Sequence, residues 1–120
     1  MRLGKLAATV LALAVAVPVL AQDRDQARQH VAFGIELAKK GLWQDATNQF
    51  ERAVKIDPSY AEAWNDLGIG YEQLGKLEEA RDAYDRALKL EPTNQFIRNN
   101  YDMFREIYDR QNVRASGGGS

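Results

Sequence analysis

The feature that most constrains this chain is an internal repeat with a period of 34 residues. Shifting the sequence by that period places glycine on glycine, alanine on alanine and proline on proline. The identical pairs are Gly34 with Gly68, Gly41 with Gly75, Ala46 with Ala80, Ala53 with Ala87, and Pro58 with Pro92. The similar pairs are Phe33 with Leu67, Leu37 with Tyr71, Phe50 with Tyr84, Val54 with Leu88, and Ile56 with Leu90. A fixed period of this kind indicates a repeat architecture whose units stack on one another.

Within each unit, apolar residues recur at the spacing of an amphipathic α-helix, and glycine or proline interrupts that spacing. The pattern predicts helices at about 25–40, 43–56, 60–74, 77–90 and 94–111. Gly41 and Gly75 are expected to form the turn within each unit, and Pro58 and Pro92 to stop its second helix. The segment at 59–62 has the spacing of a capping box for the third helix.

The second unit, residues 61–94, resembles the tetratricopeptide repeat at each of that family's usual positions. Those positions hold Trp64, Leu67, Gly68, Tyr71, Ala80, Tyr84, Ala87 and Pro92. The first unit, residues 27–60, is similar but has His30 where the family favours Trp and Leu37 where it favours Tyr. The resemblance implies an all-α fold, a short right-handed solenoid of two helix-turn-helix repeats followed by a capping helix at 94–111.

The predicted last helix has two unlike faces. Its charged face carries Arg98, Asp102, Arg105 and Asp109. Its apolar face carries Ile97, Tyr101, Phe104 and Tyr108. The apolar face is expected to cover the second repeat and the charged face to meet solvent, which ends the array. One domain at 22–112 is therefore expected, and the Gly/Ser-rich residues at 113–120 are expected to form a flexible tail.

Residues 1–21 have the pattern of a secretory signal peptide. A basic start with Arg2 and Lys5 precedes an apolar run at 6–17, and a small-residue site ends at Ala21. Cleavage after Ala21 predicts a periplasmic or secreted protein with no stable membrane insertion. The alternative is a membrane anchor formed by an uncleaved N-terminal helix, but the uncharged stretch of 16 residues is shorter than the ~20 that a bilayer requires.

The composition argues against several function classes. The absence of cysteine excludes disulfides, thiolate metal sites and cysteine nucleophiles. The single histidine, His30, lacks the further groups that hydrolytic triads and zinc sites need. A net charge of −1 gives no basic surplus for nucleic acid. We therefore expect a non-enzymatic protein with no cofactor, no metal ion and no nucleic-acid partner.

The resemblance also implies a binding surface. In this family the first helix of each unit lines a concave groove, and its second, fifth, ninth and twelfth residues contact the ligand. By register these are Arg28, Val31, Ile35 and Ala38 in the first unit, Glu62, Asn65, Ile69 and Glu72 in the second, and Phe96, Asn99, Met103 and Glu106 in the cap. A protein or peptide partner is the ligand that such a groove implies.

Two subsets of these residues indicate how a ligand would be held. Ile35, Ile69 and Met103 share one register position, so they are expected to form an apolar stripe across three helices, a pattern typical of binding surfaces. Asn65 and Asn99 share another position, where a side-chain amide can both donate to and accept from a peptide backbone. The groove is thus expected to hold an extended peptide or a partner helix.

Several interpretations of the function remain open from the sequence. Glu62, Glu72 and Glu106 lack basic compensation, which argues against the acidic-tail ligands that some family members bind. The favoured hypothesis is a non-enzymatic adaptor or scaffold in the periplasm or cell envelope. One alternative is a self-associating structural subunit, with the stripe or the edge near Phe33 and Trp43 packed against a second copy. Another is that the groove residues only fill gaps between helices.

Overall fold

The computed structural model describes the backbone of residues 3–117 and the side chains of residues 20–117. Within that range the chain forms five α-helices. They are α1 (Leu3–Lys39), α2 (Trp43–Ile56), α3 (Ala61–Gln73), α4 (Leu77–Leu90) and α5 (Gln95–Gly117). Helices α1 and α2 form one packed pair, α3 and α4 form the next, and α5 covers the second pair. The expected all-α solenoid is confirmed, and α2 and α4 begin and end at the predicted residues.

Both terminal helices are longer than predicted. Helix α1 begins at Leu3, so the predicted cleavage point after Ala21 lies inside it. Helix α5 continues to Gly117, so residues 113–117 of the predicted flexible tail are helical, with exposed side chains. The rest of that tail, residues 118–120, and residues 1–2 of the predicted signal peptide lie outside the described residues. Within residues 20–117, where the structure describes the side chains, no helix has the length and apolar character needed to span a membrane.

Gly41 and Gly75 form the turn within each helix pair, as predicted. Their φ angles are 75° and 74°, a left-handed conformation that glycine adopts without a steric penalty. The N–H of Gly41 donates to the carbonyl oxygen of Ala38 at 2.9 Å, and that of Leu42 donates to Leu37 at 3.0 Å. The same two bonds recur around Gly75. This pattern satisfies the last carbonyl groups of the helix and reverses the chain.

The connections between repeats begin with a residue that a following proline keeps out of the helix. Asp57 has φ −133° and ψ 90°, and Glu91 has φ −135° and ψ 75°. The predicted capping box at 59–62 is wrong, because α3 begins at Ala61 with Tyr60 as its N-cap and has no side-chain cap bond. The Ser59 hydroxyl instead donates to Oδ1 of Asp57 at 2.6 Å and stabilises the preceding turn.

Small residues allow the two helices of each pair to approach closely. A Cβ atom added to Gly34 would lie 2.5 Å from the Phe50 ring, and one added to Gly68 would lie 3.0 Å from the Tyr84 ring. These aromatic rings therefore rest directly on the glycine backbone. The repeated glycines of the sequence are explained by this close contact between helices.

Helix α5 closes the second repeat with the face that the sequence predicted. Ile97 and Phe104 are 1% and 0% exposed, and the Phe104 ring centroid lies 5.3 Å from that of Tyr84. Oδ1 of Asn94 accepts hydrogen bonds from the N–H groups of Phe96 and Ile97 at 3.0 and 3.2 Å, which caps the start of α5. The predicted charged face is exposed at Arg98, Asp102, Arg105 and Asp109.

Candidate functional site

Helices α1, α3 and α5 are the first helices of successive units, and α3 contacts both of the others. We call the surface that these three helices share the inner face. Two depressions lie along it. The first, of about 280 Å³, lies between α1 and α3 and is called the α1–α3 pocket. The second, of about 390 Å³, lies between the N-terminal ends of α3 and α5 and is called the α3–α5 pocket.

The α1–α3 pocket has a mostly apolar lining. Its residues are Ile35, Ala38, Lys39, Trp43, Phe50, Asp66 and Ile69. The pocket thus brings together Ile35, Ala38 and Ile69, three of the residues that the repeat register predicted. Met103, which is 60% exposed on α5, does not line this pocket. The pocket is an apolar recess between α1 and α3, with Trp43 and Phe50 of α2 in its wall.

Asp66 is the polar group of the α1–α3 pocket that the sequence analysis missed. Its Oδ2 atom is shielded from solvent and receives no hydrogen bond from any described residue. Burial raises the pKa of the Asp66 carboxyl to about 7, with a further contribution from the charge of Glu62, while the hydrogen bond from Asn65 opposes the shift. The sequence contained one indication that Asp66 belongs to this site. It lies three residues before Ile69, and this spacing places both side chains on one side of α3.

The α3–α5 pocket contains other predicted residues. Glu62, Asn65 and Phe96 line it, together with Arg24 from α1. Phe96 is 64% exposed although it is a large aromatic side chain. Arg24 forms an ion pair with Asp57 and places its guanidinium 4.6 Å from the Tyr60 ring centroid. This second depression therefore has an exposed aromatic residue on one side and an arginine, already engaged within the fold, on the other.

Val31 and Asn65 were predicted to contact a ligand, but the structure buries both residues. Val31 is 3% exposed and belongs to a core cluster with Leu67 of α3. Asn65 is 1% exposed, and its Oδ1 accepts a hydrogen bond from Nδ2 of Asn100 on α5 at 3.1 Å. The fifth position of a first helix faces the next first helix, so α3 covers Val31 and α5 covers Asn65. Asn99 holds the same position in α5, with no following helix in the described chain, and is exposed.

The remaining predicted residues lie on the inner face without forming one continuous site. Arg28, Glu62, Phe96, Asn99, Met103 and Glu106 are exposed, and Glu72 is half-buried. Arg28 lies 3.6 Å from the Asp25 carboxylate, and Asn99 accepts a hydrogen bond from Gln95 at 2.8 Å. Phe96 and Met103 are 64% and 60% exposed, so α5 carries two large apolar side chains on the surface.

Charged groups near the two pockets are mostly engaged within the protein. Nζ of Lys39 lies 2.8 Å from Oε1 of Glu36. Burial favours a higher pKa for Asp57, but the hydrogen bonds from Ser59 and Arg24 outweigh it and hold that pKa below its ordinary value. Four tyrosine hydroxyls of the described chain donate to glutamates: Tyr60 to Glu62 at 3.0 Å, Tyr71 to Glu51 at 2.8 Å, Tyr84 to Glu72 at 3.0 Å, and Tyr108 to Glu78 at 2.5 Å. The inner face therefore offers hydrogen-bond acceptors rather than free cations.

Comparison with known proteins agrees with this geometry. Residues 31–94 match the tetratricopeptide repeat family, which is more than half of the 120-residue chain. The chain belongs to the tetratricopeptide-repeat family. A sequence relative is the chloroplastic tetratricopeptide repeat domain-containing protein PYG7 of Arabidopsis thaliana, 38% identical over 55 residues. That match covers 46% of this chain and 18% of the relative, so the chain spans under a fifth of the relative's length.

Solved structures resemble this tetratricopeptide-repeat chain as well. The second TPR domain of human RPAP3, in complex with the HSP70 peptide SGPTIEEVD, has a TM-score of 0.63 and 25% sequence identity, with 67% of each chain covered. The crystal structure of MamA has a TM-score of 0.65 and 21% identity, covering 75% of this chain and 51% of that one. The likeness to MamA concerns the fold alone.

Proposed function

We propose that this protein is a non-enzymatic adaptor that binds a peptide or a partner helix on its inner face. The observation that carries the proposal is the α1–α3 pocket, an apolar recess between two first helices with one buried carboxylate in its wall. The exposed side chains of Phe96 and Met103 extend the apolar surface along α5. Support also comes from the similar RPAP3 domain, whose structure contains a bound peptide.

The test is photo-crosslinking from the inner face in the native host. Ile69 is a poor position, because it packs against the cluster of Tyr84 and Phe104 and a replacement would disturb the core. Phe96→p-benzoylphenylalanine replaces one exposed aromatic residue with another, and Met103 offers a second exposed position. Leu90 is 42% exposed at the end of α4 and lines neither pocket, so it is the matched control.

The adducts distinguish the candidate functions. A specific foreign protein captured from positions 96 and 103, but not from position 90, supports the adaptor function and names the partner. Adducts between two copies of this chain favour a self-associating subunit. No adduct from either inner-face position, while the protein is folded and present, contradicts the proposal.

For the location we propose the periplasm or another part of the cell envelope. The support is the signal-peptide pattern of residues 1–21. Cleavage after Ala21 would keep Arg24, whose ion pair with Asp57 ties the start of the repeat domain to the α2–α3 connection. Mass spectrometry of the protein from the envelope fraction should find Gln22 as the first residue. An intact Met1 on protein held in the membrane would favour the uncleaved anchor, and intact protein in the cytoplasm would contradict export.

A further inference from the structure

The α1–α3 pocket contains a carboxylate whose hydrogen-bonding capacity is only partly used. Asp66 as a residue is half-buried, but its Oδ2 atom is shielded and receives no hydrogen bond from the described part of the chain. Leaving a buried acceptor without a donor is unfavourable, and native proteins rarely do so without a reason. Nearby carboxylates differ, because Glu62 and Glu72 each accept from a tyrosine hydroxyl.

The cation in the pocket lining, Lys39, pairs with a residue outside the pocket. Lys39 lines the pocket, yet its Nζ lies 2.8 Å from Oε1 of Glu36 and its side chain is 66% exposed. The other wall residues are apolar apart from the Trp43 indole. Asp66 thus lies in an apolar recess, and no cation of the described residues donates to its Oδ2 atom.

From this arrangement we infer that the α1–α3 pocket binds a lysine side chain of the partner peptide, with the ammonium group donating to Asp66. The inference rests on the proposed function and specifies the partner's chemistry. The aliphatic stem of lysine would pack against Ile35, Ile69 and Phe50, while its charged end reaches the carboxylate. The volume of about 280 Å³ is at the lower end of ligand pockets and suits one long side chain.

The hydrogen bonds around Asp66 favour lysine over arginine. Nδ2 of Asn65 donates to Oδ1 of Asp66 at 3.4 Å, and Nδ2 of Asn100 donates to Oδ1 of Asn65 at 3.1 Å, which fixes the Asn65 amide. One carboxylate oxygen is therefore already engaged and only Oδ2 is without a donor. An ammonium group can pair with a single carboxylate oxygen, whereas a guanidinium group binds best to both oxygens of a carboxylate.

The same charges argue against an acidic peptide. The peptide bound to the RPAP3 domain, SGPTIEEVD, carries three acidic residues. On this chain's inner face such a peptide would meet Glu62, Asp66 and Glu72, while Arg28 and Lys39 already pair with acidic neighbours. An acidic peptide of this kind therefore does not match the charge of this chain's inner face.

The test uses pools of fluorescent, N-acetylated peptides in which one residue is fixed as lysine, arginine, norleucine or glutamate and every other position is a mixture of uncharged residues. Acetylation leaves the lysine side chain as the only amine in the lysine pool. The full chain is compared with Asp66→Asn, which keeps the shape of the side chain and removes its charge. Asp102→Asn makes the same change on the exposed charged face of α5 and is the matched control.

The expected result is that the protein binds the lysine pool about tenfold or more tightly than the norleucine pool. Asp66→Asn should abolish that preference, and Asp102→Asn should retain it. Equal binding of all four pools, unchanged by Asp66→Asn, overturns the inference and leaves the proposed function standing. If the arginine pool binds as tightly as the lysine pool, the argument that one free carboxylate oxygen favours lysine is overturned. Tighter binding of the glutamate pool also overturns the inference. The absence of binding by every pool, together with the absence of crosslinks from positions 96 and 103, rejects the proposed function itself.

Discussion

Replacing Asp66 with asparagine should stabilise the protein at neutral and alkaline pH. The carboxylate is ionised in the unfolded chain above about pH 4, but in the folded protein its pKa is raised from 3.8 to about 7. Between these two values the folded state binds more protons than the unfolded state, so the free energy of unfolding falls as the pH rises. Below this range the stability is fully present, and above it the charge is buried without a donor among the described residues.

The size of the effect follows from the shift. At about 1.4 kcal/mol per pKa unit, a change from 3.8 to about 7 corresponds to about 4 kcal/mol. This value is an upper limit, because relaxation of the pocket around the charge reduces the cost of burying it. We therefore expect Asp66→Asn to raise the free energy of unfolding by about 2 to 4 kcal/mol near pH 8. Near pH 4.5 the gain should fall to about 1 kcal/mol, because the wild-type carboxyl is then protonated in the folded state and ionised mainly in the unfolded chain.

The assay is urea unfolding followed by circular dichroism at about pH 4.5, 6, 7 and 8. Other carboxylates titrate in the same range, and the lowered pKa of Asp57 acts in the opposite direction. The informative quantity is therefore the difference between wild type and Asp66→Asn at each pH. Asp102→Asn, on the exposed face of α5, should give a difference that does not change with pH. If the free energies of unfolding of wild type and Asp66→Asn change with pH in parallel, the assignment of a buried, unpartnered charge is refuted.

Three further substitutions and one control, Phe96→Ala, test the packing by urea unfolding. Gly34→Ala should cost about 1 to 3 kcal/mol, because the new Cβ would lie 2.5 Å from the Phe50 ring; an unchanged midpoint would contradict this close approach. Gly75→Ala should cost about 1 to 2 kcal/mol, since φ is 74° there, and equal stability would mean that the turn has another conformation. Phe104→Ala should cost about 3 to 5 kcal/mol because Phe104 is fully buried, whereas exposed Phe96→Ala should change stability by under about 0.5 kcal/mol. If Phe104→Ala and Phe96→Ala lowered the free energy of unfolding by similar amounts, the position of α5 would be wrong.

The predicted site residues fall into two groups, some at an accessible recess and others in the core, for one geometric reason. Ile35 and Ile69 hold the ninth position of their helices, and they meet in the α1–α3 pocket as expected. Val31 and Asn65 hold the fifth position, which faces the next first helix and is covered by it. A register assigns a residue to a side of its own helix, but the angle at which two helices pack decides which of those residues stay accessible.

The sequence by itself determined the helices, their turns and their order. Glycine at a left-handed position, proline after a helix and apolar residues at helical spacing are local signals, so helices α2 and α4 could be predicted from Trp43 to Ile56 and from Leu77 to Leu90. Only the tertiary structure decided that Asn65 is buried against Asn100 and that Asp66 lies in an apolar wall without a hydrogen-bond donor for Oδ2 among the described residues. Burial and desolvation depend on atoms contributed by several helices at once, and no spacing within one helix contains that information.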